Sequence, residues 1–214
     1  MLNRVLKGFS DRLSADPFLF TLLRRIPENN FVGEKRVIAR EIGGAAGGLL
    51  LDLGCGTGEF CRRFAPEGYL GLDLNRPYLR YARARHPRYL FLQADGAAVP
   101  LPDGACAWVL VAGVFHHLPP EISLALAREI RRVLKPDGRA LVMEDSRSTG
   151  RFNLVGRLVH RLDQGEFIRH SASYEEILIR FFRILQSYHM RSGVCEYEVF
   201  VLTPIINAAD KNSR

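Results

Sequence analysis

The chemistry-bearing residues of this chain gather around Leu50-Leu-Asp52-Leu-Gly54-Cys55-Gly56-Thr-Gly58-Glu59-Phe60. An apolar run ends at an acid, and three glycines follow at alternate positions. A turn this bare of side chains lets a ligand come against the backbone. Two further carboxylates stand where the next two apolar runs end. Asp73 closes Leu70-Gly-Leu-Asp73, and Asp95 follows in Gln93-Ala-Asp95-Gly96. In an open α/β sheet such positions share the crevice at the carboxyl ends of the strands, where ligands bind.

The spacing selects among ligands. A dinucleotide fingerprint, GxGxxG, needs glycine where this chain has Glu59. Asp52 directly before the loop would repel a phosphate and suits a ligand with a free ammonium group. Asp73 lies about twenty residues on, where a carboxylate holds ribose hydroxyls. Asp95 is placed to accept from an exocyclic amine. Ammonium, ribose and aminopurine together describe S-adenosylmethionine.

Proton-moving residues are fewer. His116 and His117 follow the apolar run Trp108-Val-Leu-Val-Ala112, and His170 precedes Ser173-Tyr-Glu-Glu176. Imidazole is the side chain that exchanges protons near neutral pH, so these three are the expected bases. Their alternative is structural, one ring packed inward and another solvated. Glu144-Asp145 either faces the substrate or is a polar strand end. Cys55, Cys61, Cys106 and Cys195 form no CxxC pair, so no metal site is expected and a reduced, cytoplasmic setting is. No leader pattern and no apolar run of membrane-spanning length is read.

These residues need a scaffold. The 214-residue chain, net charge +7, has ordinary apolar and charged fractions. Near-continuous apolar runs predict strands at 49–53, 68–72, 89–93, 107–113 and 139–144. Helices are expected at 58–65, 76–85 and 121–134, with Lys135-Pro136-Asp137-Gly138 as a turn. Asp16-Pro17 opens an N-terminal helix, and a second runs from Phe31 to Ile42. A short helix is expected near 152–162, and a capping box at Ser173 starts another. Two last strands, near 183–190 and 195–203, form a hairpin about Arg191-Ser-Gly193. The expected class is α/β: Rossmann-like, doubly wound, a mostly parallel seven-stranded sheet with an antiparallel C-terminal hairpin strand and N-terminal helices. The expected division is a helical lid or accessory segment over 1–43, a ligand-binding domain over 44–204 with a substrate-side insertion near 146–182, and a tail over 205–214. The aromatic-rich stretch Phe18 to Phe31 either covers substrate or packs on the sheet. The basic residues, among them Arg76, Arg80 and Arg83 on one helical face, are spread out and read as a solvated surface.

Five ordered motifs over Leu49 to Asp145 resemble the class I S-adenosylmethionine-dependent methyltransferases, especially their small-molecule branch. They are Leu51-Asp-Leu-Gly-Cys-Gly-Thr-Gly58; Leu70-Gly-Leu-Asp73-Leu; Ala94-Asp95-Gly96 with Val99-Pro-Leu-Pro-Asp103; Val111-Ala-Gly-Val-Phe-His-His-Leu-Pro119; and Leu134-Lys-Pro-Asp-Gly138 with Ala140-Leu-Val-Met-Glu144. The resemblance implies that Gly54, Cys55, Gly56 and Gly58 pass beneath the methionine and ribose, with Asp52 supporting the loop and ammonium end. It implies Asp73 on the ribose, Leu74 on the adenine, Asp95 and Gly96 on the adenine edge, and Gly113, Phe115 and His116 near the methyl group. Ala105-Cys-Ala-Trp108 departs from the acid many relatives carry there, a structural position. The Asn/Asp-Pro-Pro-aromatic motif of base and glutamine methylation is absent after the fourth strand, where Gly113-Val-Phe-His-His stands. No cysteine follows a proline, which excludes the cytosine-C5 type. Methyl transfer to a small molecule, acidic or amphipathic in character, is the expected function. An RNA or protein acceptor, a non-catalytic cofactor-binding relative and a nicotinamide-dependent oxidoreductase are the alternatives.

Overall fold

The structure, a computed structural model, describes residues 16–43, 47–146 and 169–206. The helix expected near 152–162, residues 1–15 of the N-terminal segment and the tail beyond 206 lie outside the described residues. The strands are β1 (Leu49–Leu53), β2 (Tyr69–Asp73), β3 (Leu90–Gln93), β4 (Cys106–Ala112), β5 (Leu134–Asp145), β6 (Phe182–Ser192) and β7 (Cys195–Pro204). The helices are α1 (Pro17–Arg25), α2 (Val32–Glu41), α3 (Arg76–Arg85), α4 (Pro120–Val133) and α5 (Ser171–Leu178).

One seven-stranded sheet runs in the order β3-β2-β1-β4-β5-β7-β6. Neighbours from β3 through β5 are parallel, and β7 is antiparallel to both β5 and β6. The chain moves outward from β1 to β3, then crosses to the other side of β1 as β4. That reversal opens a crevice above the carboxyl ends of β1 and β4.

Alternation along β1 shows how the sheet is sandwiched. Leu51 and Leu53 join the apolar layer under α4 and α5, with Leu126, Ile130, Ile177 and Leu178. Leu50 joins the opposite layer, with Val37 and Ile38 of α2 and Leu79 and Ala82 of α3. Each fully buried leucine or isoleucine among them contributes about 1.5–3 kcal/mol relative to exposure. Asp52 falls on the α2–α3 face, where the hydroxyl of buried Tyr69 donates to its carboxylate at 2.6 Å.

Three expected elements differ from what forms. No α-helix spans 58–65. The loop turns and ends in a single 3-10 turn, Cys61–Arg63. Gly58 has φ +77°, Phe64 is already extended, and Ala65 is extended before Pro66. Too few residues remain between these limits to nucleate a helix. The turn at Lys135–Gly138 is absorbed into β5 as a bulge: Cys106 pairs with Leu134, but Trp108 pairs with Arg139. Ser173 is not an N-cap. α5 starts at Ser171 behind His170, whose carbonyl accepts from the Ser173 N–H. Tertiary contacts set that start, for the Tyr174 hydroxyl donates to the Asp145 carbonyl at 3.0 Å.

The N-terminal helices are fastened to the sheet. The Asp16 side chain caps α1 by accepting from Leu19 N–H at 2.9 Å. Between α1 and α2, Asn29, Asn30 and Phe31 all have positive φ. Asparagine visits this region readily and phenylalanine does not. The β6–β7 turn braces the connection. Val194 N–H donates to the Pro27 carbonyl at 2.9 Å, and Gly193 sits so close that a Cβ there would lie 2.0 Å from the same oxygen. Glu59, which breaks the dinucleotide fingerprint, pairs with Arg25 of α1 and Lys35 of α2 at 2.8 and 2.6 Å. No helix among the described residues is long and apolar enough to cross a membrane.

Candidate functional site

Two adjoining cavities lie over the crevice and share the walls formed by Gly54, Gly56, Ala112, Gly113 and Arg24. The outer cavity, about 260 Å³, is bounded by Asp73, Leu74, Asp95, Gly96, His117 and Ile122. The inner one, about 60 Å³, lies between the glycine loop and the N-terminal helices.

The loop has the form its glycines allow. Gly54, Gly56 and Gly58 all adopt positive φ. A Cβ on Gly54 would lie 2.4 Å from Val114 Cγ2, so that glycine serves packing. A Cβ on Gly56 would meet nothing within 4 Å, because that face looks onto open space shared by both cavities. Cys55 points the other way. Its sulfur lies 2.9 Å from where a Gly71 Cβ would be, and burial pushes its thiol well above the ordinary range.

The acids at the strand ends are held by backbone. The Asp73 carboxylate accepts from Gly56 N–H at 2.8 Å and from Asn75 N–H at 2.7 Å. Burial raises its pKa, and these N–H groups work against the rise. The Asp95 side chain accepts from Ala97 N–H at 2.9 Å and is otherwise open to the outer cavity. Next to it, Gly96 leaves no room for a side chain against Leu126 and Leu53. Two large apolar residues stay exposed across the cavity, Leu74 at 67% and Ile122 at 43%. Asp52 borders the inner cavity, and burial pushes its carboxyl up to about 7.

The three histidines part company. His116 is 1% exposed and lines neither cavity. Its Nδ1 is 2.9 Å from Glu144 and its Nε2 3.3 Å from Asp145. Glu144 also accepts the backbone N–H groups of Val114, Phe115 and His116, and so holds the turn after β4. Phe115 is buried beneath that turn. His117 borders the outer cavity, its ring 4.0 Å from that of His116. His170, exposed at the start of α5, borders neither. Arg169 beside it donates to the carbonyls of Phe115 and Leu118, both at 2.6 Å, tying α5 to the same turn.

Several bordering residues escaped the sequence reading. Thr21, Arg24, Glu28 and Glu34 reach the inner cavity from the N-terminal segment, and Tyr197 from β7. Arg24 and Glu28 are paired at 2.6 Å, an i,i+4 spacing visible in the sequence. Nothing in the sequence ties Tyr197 to them.

Comparison with known proteins bears on this arrangement. Residues 50–138 match the family model described as "Methyltransferase domain". This segment is similar to a methyltransferase domain. The matched segment thus contains the loop, Asp73, Asp95 and the turn after β4, whereas α1, α2 and β7 lie outside it. The chain is 38% identical over 118 residues to the demethylmenaquinone methyltransferase of Thermus thermophilus, covering 51% of this chain and 53% of that one. It is 33% identical over 126 residues to the ubiquinone/menaquinone biosynthesis C-methyltransferase UbiE of Hahella chejuensis, covering 54% and 50%. The chain thus spans about half the length of these relatives. In fold it is similar to the geranyl diphosphate C-methyltransferase of Streptomyces coelicolor, solved with Mg2+, geranyl diphosphate and S-adenosyl-L-homocysteine. That likeness has a TM-score of 0.63 at 14% identity and covers 80% of this chain and 77% of the other.

Proposed function

We propose that this protein transfers a methyl group from S-adenosylmethionine to a small amphipathic acceptor. The observation that carries the reading is the open face of Gly56 between the Asp73 and Asp95 carboxylates, in a segment that matches methyltransferases. The outer cavity's lining fits the nucleoside chemically. Asp73 has carboxylate lone pairs for a vicinal diol beyond those its two N–H partners use. Leu74 and Ile122 offer apolar faces to a flat ring, and Asp95 with Gly96 offers an acceptor and an N–H to its edge.

When bound, S-adenosylmethionine supplies a methyl group already activated on a sulfonium. The chain's share is position and the exclusion of water. Gly54, Gly56 and Gly113 set the floor on which the two reactants meet. Glu144 fixes the turn from Val114 to His116, and Arg169 holds its carbonyls. His116 and Phe115 act through that turn, as positioning residues. His117 is the histidine that faces the outer cavity and is placed to take a proton from an acceptor there.

The test uses methyl-labelled S-adenosylmethionine with a metabolite pool freed of protein and RNA. Label is expected in the small-molecule fraction, and Asp95→Ala should lower the transfer rate about tenfold or more. Transfer only to added RNA or protein would overturn the choice of acceptor.

A further inference from the structure

A third cavity, about 280 Å³, shares only Glu59 with the two over the crevice. None of the loop glycines borders it, nor does Asp73 or Asp95. Four stretches of chain meet there. Arg25 ends α1, Lys35 lies in α2, Arg62 and Arg63 belong to the 3-10 turn after the loop, and Arg85 and His86 close α3. Basic residues that are spread out along the sequence thus share one concave wall. Glu59 is the only carboxylate on it, and both of its oxygens are taken. Arg25 Nη2 donates to Oε2 at 2.8 Å and Lys35 Nζ to Oε1 at 2.6 Å. Among the described residues, no ion pair reaches Arg62, Arg63 or Arg85, all three exposed to solvent.

The donors on this wall outrun the acceptors. Arg62 gives its Nε–H to His86 Nδ1 at 3.2 Å, a ring nitrogen in place of a carboxylate. That bond selects the neutral tautomer with its proton on Nε2. His86 is 7% exposed, and burial, with Arg62 and Arg85 beside it, lowers its pKa. The ring therefore stays neutral, and among the described residues its Nε2 has no partner. The Nε–H of Arg25 is buried and has no partner either. Buried donors without acceptors are costly, and so is a crowd of like charges.

We infer that this cavity binds a phosphate group carried by a soluble small molecule. The inference goes beyond methyl transfer and does not depend on it. The open polar groups named here are all donors, and a phosphate supplies acceptor oxygens and negative charge together. Guanidinium forks match phosphate in shape as well as charge. Five cations against one occupied carboxylate leave the cavity positive, and a concave wall of one sign concentrates its field. A neutral ligand or an amine would leave that charge unanswered. The cations converge on one hollow instead of following a stripe, and Arg76 and Arg80 of α3 take no part in it. Such a hollow suits a small molecule rather than a strand of RNA or a bilayer surface.

Calorimetry on the full chain tests the site with inorganic phosphate and pyrophosphate at low ionic strength. One-site binding is expected, with pyrophosphate about tenfold or more tighter than phosphate. Excess S-adenosylhomocysteine should leave that binding within about twofold. Arg62→Gln with Arg85→Gln should weaken pyrophosphate about tenfold or more, and Arg63→Gln alone about threefold or more. Arg76→Gln with Arg80→Gln removes as much charge away from the cavity and should change affinity by no more than about twofold. No pyrophosphate binding, or equal losses in the two double variants, would overturn the site. Loss of pyrophosphate binding when S-adenosylhomocysteine is added would also overturn it, because the anion would then occupy the cofactor crevice. Mixed single-stranded RNA and phosphatidylglycerol vesicles are titrated alongside. Binding of either that the Arg62 and Arg85 changes abolish, without pyrophosphate binding, would overturn the choice of a small molecule.

Discussion

Gly54 and Gly56 both have positive φ but different surroundings, which makes their roles separable. Alanine at Gly54 would strain a φ of +77° and press on Val114. Gly54→Ala should cost about 2–4 kcal/mol of stability in denaturant unfolding. Gly56→Ala meets no atom and should cost only about 1–2 kcal/mol, yet it should weaken S-adenosylhomocysteine binding about tenfold or more. Asp52 supports a prediction in pH. Its folded pKa of about 7, raised by burial, lies above the ordinary carboxylate value. The folded state therefore binds a proton that the unfolded chain releases between about pH 4 and 7. Stability from this group is complete below pH 4 and lost as pH rises through 7. Asp52→Asn should remove that slope and raise the melting temperature at pH 8 relative to wild type. The change should be on the order of a few kcal/mol. Thermal melts of both proteins from pH 5 to 8 check it, and parallel curves would contradict it. The place of Asp52 beside the cavity is legible in the sequence because it abuts the glycines. Its burial under Tyr69 is not, since the partner lies on the next strand.

At the scale of elements, the strands were readable because a sheet covered on both faces needs unbroken apolar runs, as in Trp108-Val-Leu-Val-Ala112. The misread pieces were decided by neighbours. The segment after Gly58 has helical residues but is cut short by backbone angles at both ends. The α5 start follows Tyr174's hold on Asp145 rather than the serine pattern. The least legible joint is the brace between the β6–β7 turn and the connection from α1 to α2, which unites residues far apart in the chain. Gly193 is its tightest point. Gly193→Val should loosen that brace, so amide exchange across α1 and α2 should quicken while β1, β4 and β5 keep their protection. Uniform acceleration would mean that the brace supports the whole fold instead.

Across the whole molecule, charge misleads when read as a sum. The chain carries +7, which suggests an anionic partner, but the cavity beneath the N-terminal helices is lined by buried acids. The part of the candidate site that lies between β1 and the turn after β4 is readable in the sequence because that segment is continuous and motif-rich. The rest is not, because Glu28, Glu34 and Tyr197 meet only after the sheet closes with β7 next to β5. The account rests on the outer cavity holding an adenosine-bearing thioether or sulfonium. The most direct measurement is a calorimetric titration of the wild-type protein with S-adenosylhomocysteine and, separately, NADH, repeated on Asp73→Ala. One-site binding of S-adenosylhomocysteine, no binding of NADH and a loss of about tenfold or more in Asp73→Ala are expected. Absence of S-adenosylhomocysteine binding to the wild type, or unchanged affinity in Asp73→Ala, would contradict it.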